Sequence, residues 1–285
     1  MIKISIIGFG KTGSHLFYAL KKAKNAEVVY VIKNRRQKYS AEILSRSDVI
    51  FICTGDKDIA GAMKKLIASK ADLKNKFIFH TSGAKSSLEL DKLKTEGAVT
   101  GSFHPVQTFA SKSGRYSGTF ENIYIAVEGS KGAIIAGFKI AKTIHSKPFE
   151  IAAAGKPFHH ICCVISSNYL AALLNLANRV FTAGGGKGIR KIGFNNTTFF
   201  DIYKPLVAET LQNIEKIGII NALTGPIERN DTDTIRLHIN SLKEAVPEIL
   251  PAYVILGIET VKLALKKKKL SSSEAVKIIK LLNKY

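Results

Sequence analysis

The chain opens by running an apolar strand straight into a glycine turn. Ile2-Lys-Ile-Ser-Ile-Ile7 leads into Gly8-Phe9-Gly10-Lys11-Thr12-Gly13, and helix-forming residues follow from Ser14. In such a Gly-x-Gly-x-x-Gly turn the first glycine permits the tight reversal. The second lets the backbone approach a pyrophosphate, and the third lets the helix pack close to the strand. The helix start then offers unpaired N–H groups and a partial positive charge to phosphates. Glycine turns also join strands to helices for structural reasons alone. The strand-turn-helix context favours a dinucleotide cradle over that reading.

The second strand, Val28-Val-Tyr-Val-Ile32, decides between dinucleotides. An NAD site places Asp or Glu about 20 residues beyond the glycines, on the ribose 2′-hydroxyl. Here Lys33-Asn34-Arg35-Arg36 stands at that position, without a carboxylate. A planar guanidinium suits a 2′-phosphate, so NADP (NADPH) is expected rather than NAD, with Asn34, Arg35 and Arg36 around the phosphate. The alternative is a solvated basic loop.

The 285 residues are 46% hydrophobic, enough for one large core or two ordinary ones. Met1 leads directly into a strand, without a charged and apolar leader. The apolar stretches are interrupted by Lys, His or Asn before the ~18 residues of a membrane span. A soluble cytoplasmic protein without a membrane partner is therefore expected. Cys53, Cys162 and Cys163 form no C-x-x-C pair and show no metal-ligand spacing, so neither a structural disulfide nor a metal site is expected. The net charge of +21 is scattered through nearly every element, and the one compact run is Lys266-Lys-Lys-Lys269. That pattern reads as a Lys-rich surface attracting an anionic cofactor and a small anionic substrate, with no nucleic-acid partner expected.

Strand-like runs alternate with helical ones through the first half: Asp48–Thr54, Lys76–His80, Ala98–Phe103, Asn122–Val127 and Phe149–Ile151. Thr54 and Gly55, then Ser82 and Gly83, follow apolar strands, where a doubly wound sheet places its ligands. From about Ala152 the apolar spacing becomes three and four. Helices are predicted over Pro157–Ala183, Phe200–Ile217, Thr234–Leu242, Pro247–Leu265 and Ser271–Leu282, punctuated by Gly184–Gly186 and the loop Leu223–Asp231. The fold class is α/β: a Rossmann doubly wound parallel sheet over 1–152, then an all-helical domain over 153–285.

In combination, the glycine turn, His80-Thr-Ser-Gly83, Gly101-Ser-Phe-His-Pro105 with Gln107-Thr-Phe109, Ser167-Asn168, and Leu223-Thr-Gly-Pro226 with Arg229 and Asp231 are specific. Over nearly the whole chain they resemble oxidoreductases that join a Rossmann-like domain to a helical domain of unassigned function. These are distant relatives of pyrroline-5-carboxylate reductase, of the 6-phosphogluconate and β-hydroxyacid dehydrogenases, and of deazaflavin-dependent NADP oxidoreductases. The resemblance implies NADP binding, an active site in the cleft between the domains, and a homodimer built by C-terminal helices of the 6-phosphogluconate dehydrogenase type. It names no substrate, although some relatives are thought to reduce ketopantoate. After Arg229 this chain has Asn230 where the family often has glycine, and asparagine tolerates a left-handed turn.

Hydride transfer to a carbonyl or imine needs a proton donor and groups that orient the substrate. In the β-hydroxyacid dehydrogenases a Lys and an Asn on the first long helix of the second domain serve. The corresponding stretch here is Lys156 to Asn168. His160, Ser167 and Asn168 stand at i, i+7 and i+8, on one face of an α-helix. His160 is expected as general acid and Asn168 as orienter, with Lys156 as the alternative donor; a histidine merely satisfied by helix packing is the bland reading. His159 should point about 100° away. His104, ending a strand before Pro105, is a second catalytic candidate or a hinge capping local backbone. Ser82 and Gly83 should contact the nicotinamide half or simply turn the chain. Arg229 either clamps a substrate carboxylate or pairs with Asp231 or Asp233. Two readings compete with a reductase: a non-catalytic NADP-binding sensor on the same fold, and a basic nucleic-acid-binding protein.

Overall fold

The computed structural model describes residues 1–112, 118–185 and 198–284. It divides into two compact units, Met1–Asn168 and Tyr169–Tyr285. The division falls inside a helical run that begins at Lys156, later in the chain than the 152/153 position where the residue pattern changes.

The first unit is built on β1 (Ile2–Ile7), β2 (Ala26–Ile32), β3 (Val49–Ile52), β4 (Phe77–His80), β5 (Val99–Pro105), β6 (Tyr124–Gly129) and β7 (Lys147–Glu150). Their order in the sheet is β2-β1-β3-β4-β5-β6-β7. The first five strands are parallel. β6 then runs antiparallel to β5, and β7 parallel to β6. The expected parallel sheet holds through β5, and the strand direction departs from it at β6. No helix is described between β5 and β6, and a return without a crossover lays the strands antiparallel.

Strand alternation sends side chains to two apolar layers. Ile4, Ile6, Phe51, Phe79 and Phe103 bury against Leu16 and Leu20 of α1 (Lys11–Lys22) and Ile140 of α4 (Lys131–Thr143). Ile7, Ile50, Ile52 and Ile78 bury on the other side. They pack with Leu44 of α2 (Ala41–Ser45), Met63 and Leu66 of α3 (Ile59–Ala68), and Leu90 of the 3₁₀ run Ser87–Glu96. Each such side chain contributes about 1.5–3 kcal/mol on burial. The order β2-β1-β3 reverses the direction of winding at β1, so the turns after β1 and β3 flank the crevice where open α/β sheets hold ligands.

The helical run comprises α5 (Lys156–Cys163), a π-helical turn (Val164–Tyr169) and α6 (Leu170–Ala183). The second unit adds α7 (Phe199–Asn221), α8 (Thr232–Ala245), α9 (Leu250–Lys266) and α10 (Ser272–Leu282). Gly186, the last residue of the expected glycine break, lies outside the described residues. Ile235, Ile239, Val261, Ala264, Ile278 and Leu282 make the core of this unit. Asp231 caps α8 by accepting from the Thr234 N–H, Ser271 and Glu274 form a capping box on α10, and Asn230 takes the left-handed turn at φ 55°. α6 and α7, by contrast, bury no residue.

Within the helical run Ala153–Ala183 an 18-residue window has a mean hydropathy of 1.4, so by length and composition alone this helix is long and apolar enough to cross a membrane, a test that core helices of soluble proteins also pass.

Candidate active site

At the end of β1 the chain turns at Gly8 with φ 101°, and a Cβ there would stand 2.8 Å from the Cys53 carbonyl oxygen. A Cβ on Gly13 would stand 2.0 Å from the Gly8 carbonyl, so only glycine lets α1 pack this closely. Around Gly10 nothing lies within 4 Å of a Cβ. That open side belongs to a cavity of about 400 Å³ lined by Gly8, Phe9, Gly10, Lys33, Asn34, Arg35, Thr54, Gly55, Asp58, Lys65 and Lys112. Gly10 gives α1 no side-chain cap, and the first turn holds no acidic residue. Thr54 Oγ1, though buried, has no hydrogen-bond partner among the described residues.

The basic loop after β2 is held in shape by Asn34, whose Oδ1 accepts from the N–H groups of Arg36 and Gln37 at 3.0 and 3.1 Å. Lys65 Nζ donates to the Arg35 carbonyl at 2.7 Å, and the Lys33 ammonium stands 5.6 Å from the centre of the Phe9 ring. Of the two arginines, Arg35 lines the cavity and ion-pairs with Asp58, whereas Arg36 is exposed and outside the lining. Lys11 and Thr12 sit in the first turn of α1, also outside it. Asp58, to which the sequence analysis gave no role, brings a carboxylate to the basic loop through its ion pair with Arg35.

A second group of polar residues surrounds Lys156, at the start of α5. Its side chain is fully buried, and Nζ donates to the Ser82 carbonyl at 2.7 Å and to Ser102 Oγ at 3.0 Å. Burial pulls its pKa down from 10.5 to about 8, against the nearby carboxylates Glu128 and Asp56, which hold it up. Ser82 Oγ donates to Asp56 Oδ2 at 2.9 Å. Glu128, buried on β6, accepts from the Ser87 N–H and Oγ, both at 2.7 Å.

His80 has one defined tautomer. The Ser82 N–H donates to its Nδ1 at 3.2 Å, so Nε2 carries the proton and donates to the Ser86 carbonyl at 2.9 Å. Burial lowers its pKa, with the Lys156 ammonium adding to the shift.

His104 and His160 meet over Gly83. A Cβ on that residue would stand 2.7 Å from His104 Nε2 and 2.8 Å from His160 Nδ1, so the close approach of both rings requires glycine. His160 Nδ1 is buried without a hydrogen-bond partner among the described residues. His104 Nδ1 lies 2.9 Å from His159 Nε2. Burial first, and the Lys156 charge second, push the His104 pKa down to about 3, and the same causes lower that of His159. His159, which helix geometry set aside, is thus a direct partner of His104.

Beyond Cys163 the π-turn places more residues in each turn than an α-helix does, so the α-helical i+7 and i+8 phase of Ser167 and Asn168 relative to His160 does not hold. Asn168 is exposed, and Ser167 is half-buried. Arg229 is exposed in the second unit. A charged residue within the apolar strand Tyr124–Gly129 was the available signal for Glu128. His80 stood in a quoted motif without an assigned role.

Residues 123–260 match the model of a domain of unknown function, DUF2520. The DUF2520 match includes β6, Lys156 and all three residues of the His160–Ser167–Asn168 pattern. No curated protein matches the sequence. Among solved structures the chain is similar to a Bacteroides fragilis protein described as a candidate NADP oxidoreductase, at TM-score 0.67 and 20% identity, covering 92% of this chain and 98% of that one. It is also similar to pyrroline carboxylate reductase of Plasmodium falciparum with NADP bound, at TM-score 0.59 and 11% identity over 94% and 97%. An imine reductase of Myxococcus stipitatus in complex with NADP⁺ matches at TM-score 0.57 and 13% identity over 97% and 99%. These likenesses establish a Rossmann-like fold with a helical C-terminal part.

Proposed function

We propose that the chain is an NADPH-dependent reductase of a small, anionic oxo acid, ketopantoate-like in size, or of an imine. The carrying observation is Lys156: a fully buried amine with a pKa near 8, tied to the loop after β4 and to β5 within the same unit as the glycine turn. Structures of similar fold that are NADP-bound reductases support the cofactor.

The residues present suit the dinucleotide. Gly8 and Gly10 with the start of α1 would receive the pyrophosphate, Arg35 and Asn34 the 2′-phosphate end, and Thr54 Oγ1 offers an unpaired polar atom in the same cavity. When bound, NADPH supplies the hydride. Lys156 has three N–H groups, of which Ser82 and Ser102 take two, leaving one to deliver a proton to the reduced oxygen or nitrogen. Its depressed pKa keeps the proton transferable near neutral pH. His160, with an unpaired buried Nδ1, and His104 are proposed to orient the substrate. Three free cysteines are consistent with a reducing, cytoplasmic setting.

We further propose a homodimer formed through α6 and α7, because these helices expose Leu173, Val180, Phe200, Leu206 and Leu211 without burying any residue. The reductase reading is tested by titrating the purified protein with NADPH and NADH, then screening oxo acids and cyclic imines for NADPH consumption. Selective NADPH binding with turnover is expected. Tight NADPH binding without turnover on any substrate favours a sensor, and absence of binding refutes the reading.

A further inference from the structure

We propose that His104, His159 and Cys163 form a binding site for a divalent transition metal of the zinc class, with a fourth position open to water or a substrate atom. Their ligand atoms lie within 4.8 Å of one another. His104 Nδ1 stands 2.9 Å from His159 Nε2, and Cys163 Sγ stands 3.9 Å from the same nitrogen. With Zn–N of about 2.0–2.1 Å and Zn–S of about 2.3 Å, tetrahedral ligation needs an N···N separation of about 3.4 Å and an N···S separation of about 3.6 Å. The two edges that meet at His159 Nε2 differ from these values by about 0.5 and 0.3 Å, and the third, between His104 Nδ1 and Cys163 Sγ, is no longer than 4.8 Å.

The donor set selects the metal class. Two imidazoles and a thiolate suit zinc and its neighbours, whereas magnesium and calcium require oxygen ligands. The scaffold is ordered on both sides: His159 and Cys163 are one turn apart on α5, and His104 lies on β5, next to its end. Gly83 packs against the His104 ring, and the edge of Phe149 meets His159 with ring centres 5.8 Å apart, so neither imidazole is free to swing away.

Two adjustments accompany binding. The facing nitrogens share one hydrogen in the metal-free pair. Both must present lone pairs to an ion, so the ring protons move to His104 Nε2 and His159 Nδ1. Cys163 gives up its thiol proton to solvent, and its thiolate offsets part of the repulsion between the dication and the Lys156 ammonium. The sequence carries little of this signal, because His-x-x-x-Cys is a short match and the third ligand comes from β5. The site does not rest on the reductase reading.

Cobalt titration of the full chain, stripped of metal with a chelator, tests it without reference to activity. One equivalent of Co²⁺ should give visible tetrahedral d–d bands and a thiolate-to-cobalt charge-transfer band, displaced by Zn²⁺. Cys163→Ser should abolish the charge-transfer band, and His159→Ala should weaken binding at least about tenfold. Cys162→Ser, altering the exposed neighbouring thiol, should change nothing. A wild-type protein without the charge-transfer band overturns the proposal. So does a band that survives Cys163→Ser and disappears in Cys162→Ser.

Discussion

Lys156 Nζ donates to the Ser82 carbonyl oxygen at 2.7 Å, tying the first turn of α5 to the loop after β4. A lysine with no exposed surface is costly to keep charged. Two hydrogen bonds and the nearby carboxylates Glu128 and Asp56 offset only part of that cost, which is why its pKa falls to about 8.

As proton donor in reduction, Lys156 must be protonated. Turnover in the reductive direction should therefore decline as pH rises through about 8. Lys156→Met should lower kcat by about 10²–10⁴-fold, the range of general acid catalysis. Its NADPH affinity should stay within about twofold, since the amine does not line the glycine-turn cavity. Initial rates across pH 6–10 for both proteins check this. A Lys156→Met enzyme with wild-type kcat removes the residue from the chemistry.

The same shift links pH to stability. The unfolded chain holds the lysine proton up to about 10.5, whereas the native state releases it near 8. Between these values the unfolded state binds more protons, so raising pH stabilises the native state. The 2.5-unit difference amounts to about 3 kcal/mol. Denaturant melts of wild type and Lys156→Met at pH 8 and pH 10.5 should diverge in favour of wild type at the higher pH by that order. Parallel behaviour of the two would mean that the amine is not desolvated.

Gly10 and Gly13 of the turn should separate by role. Gly13→Ala forces a Cβ to 2.0 Å from the Gly8 carbonyl and should destabilise the fold by several kcal/mol. Gly10 has φ −77° and open space around a Cβ, so Gly10→Ala should fold with an unchanged melting temperature. It should nonetheless lose NADPH affinity by tenfold or more, because the methyl projects where the backbone would meet the pyrophosphate. Calorimetry of both variants, by melting and by titration, separates the two effects.

The sequence made the glycine turn and the strand-helix alternation readable because both are local. A turn declares itself within six residues, and burial on both faces produces the apolar runs Ile4–Ile7 and Val49–Ile52. The five-residue α2 has too few turns to establish a period. The direction of β6 depends on a connection without a helix, which its own residues do not encode. The meeting of His104 with His159 depends on the space left at Gly83, and the phase of Asn168 on a π-turn that α-helical counting does not anticipate. The full burial of Lys156 and its bonds to Ser82 and Ser102, which put it ahead of His160 in the proposed chemistry, are long-range fits of the same kind that residue type alone does not show.

Arg35 is engaged by Asp58 beside the proposed 2′-phosphate site. Arg35→Ala should weaken NADPH at least about tenfold while changing NADH little, because only the former carries the phosphate that the guanidinium would bind. Asp58→Asn should act in the opposite direction. It releases the guanidinium and removes a negative charge near the phosphate, an effect of about 1 kcal/mol in a solvated setting, or roughly fivefold tighter NADPH. Fluorescence titration with both nucleotides decides the matter, and equal loss for NADPH and NADH in Arg35→Ala would sink the assignment.

Leu206 on α7 is 64% exposed within one chain, and Leu211, further along the same helix, is 54% exposed. The expected sign of a polar substitution there depends on the state of association. In a monomer, Leu206→Asp is a surface change and should leave stability within about 0.5 kcal/mol. In a homodimer joined through α6 and α7 it buries an unpaired carboxylate and should break the assembly. Light scattering on eluted protein should therefore give twice the 31.1 kDa chain mass for wild type and the single-chain mass for Leu206→Asp. The melting temperature should fall as dilution lowers the wild-type dimer fraction. A wild-type protein that elutes at the single-chain mass at all concentrations, with Leu206→Asp indistinguishable from it, would leave these helices without a second copy to cover them.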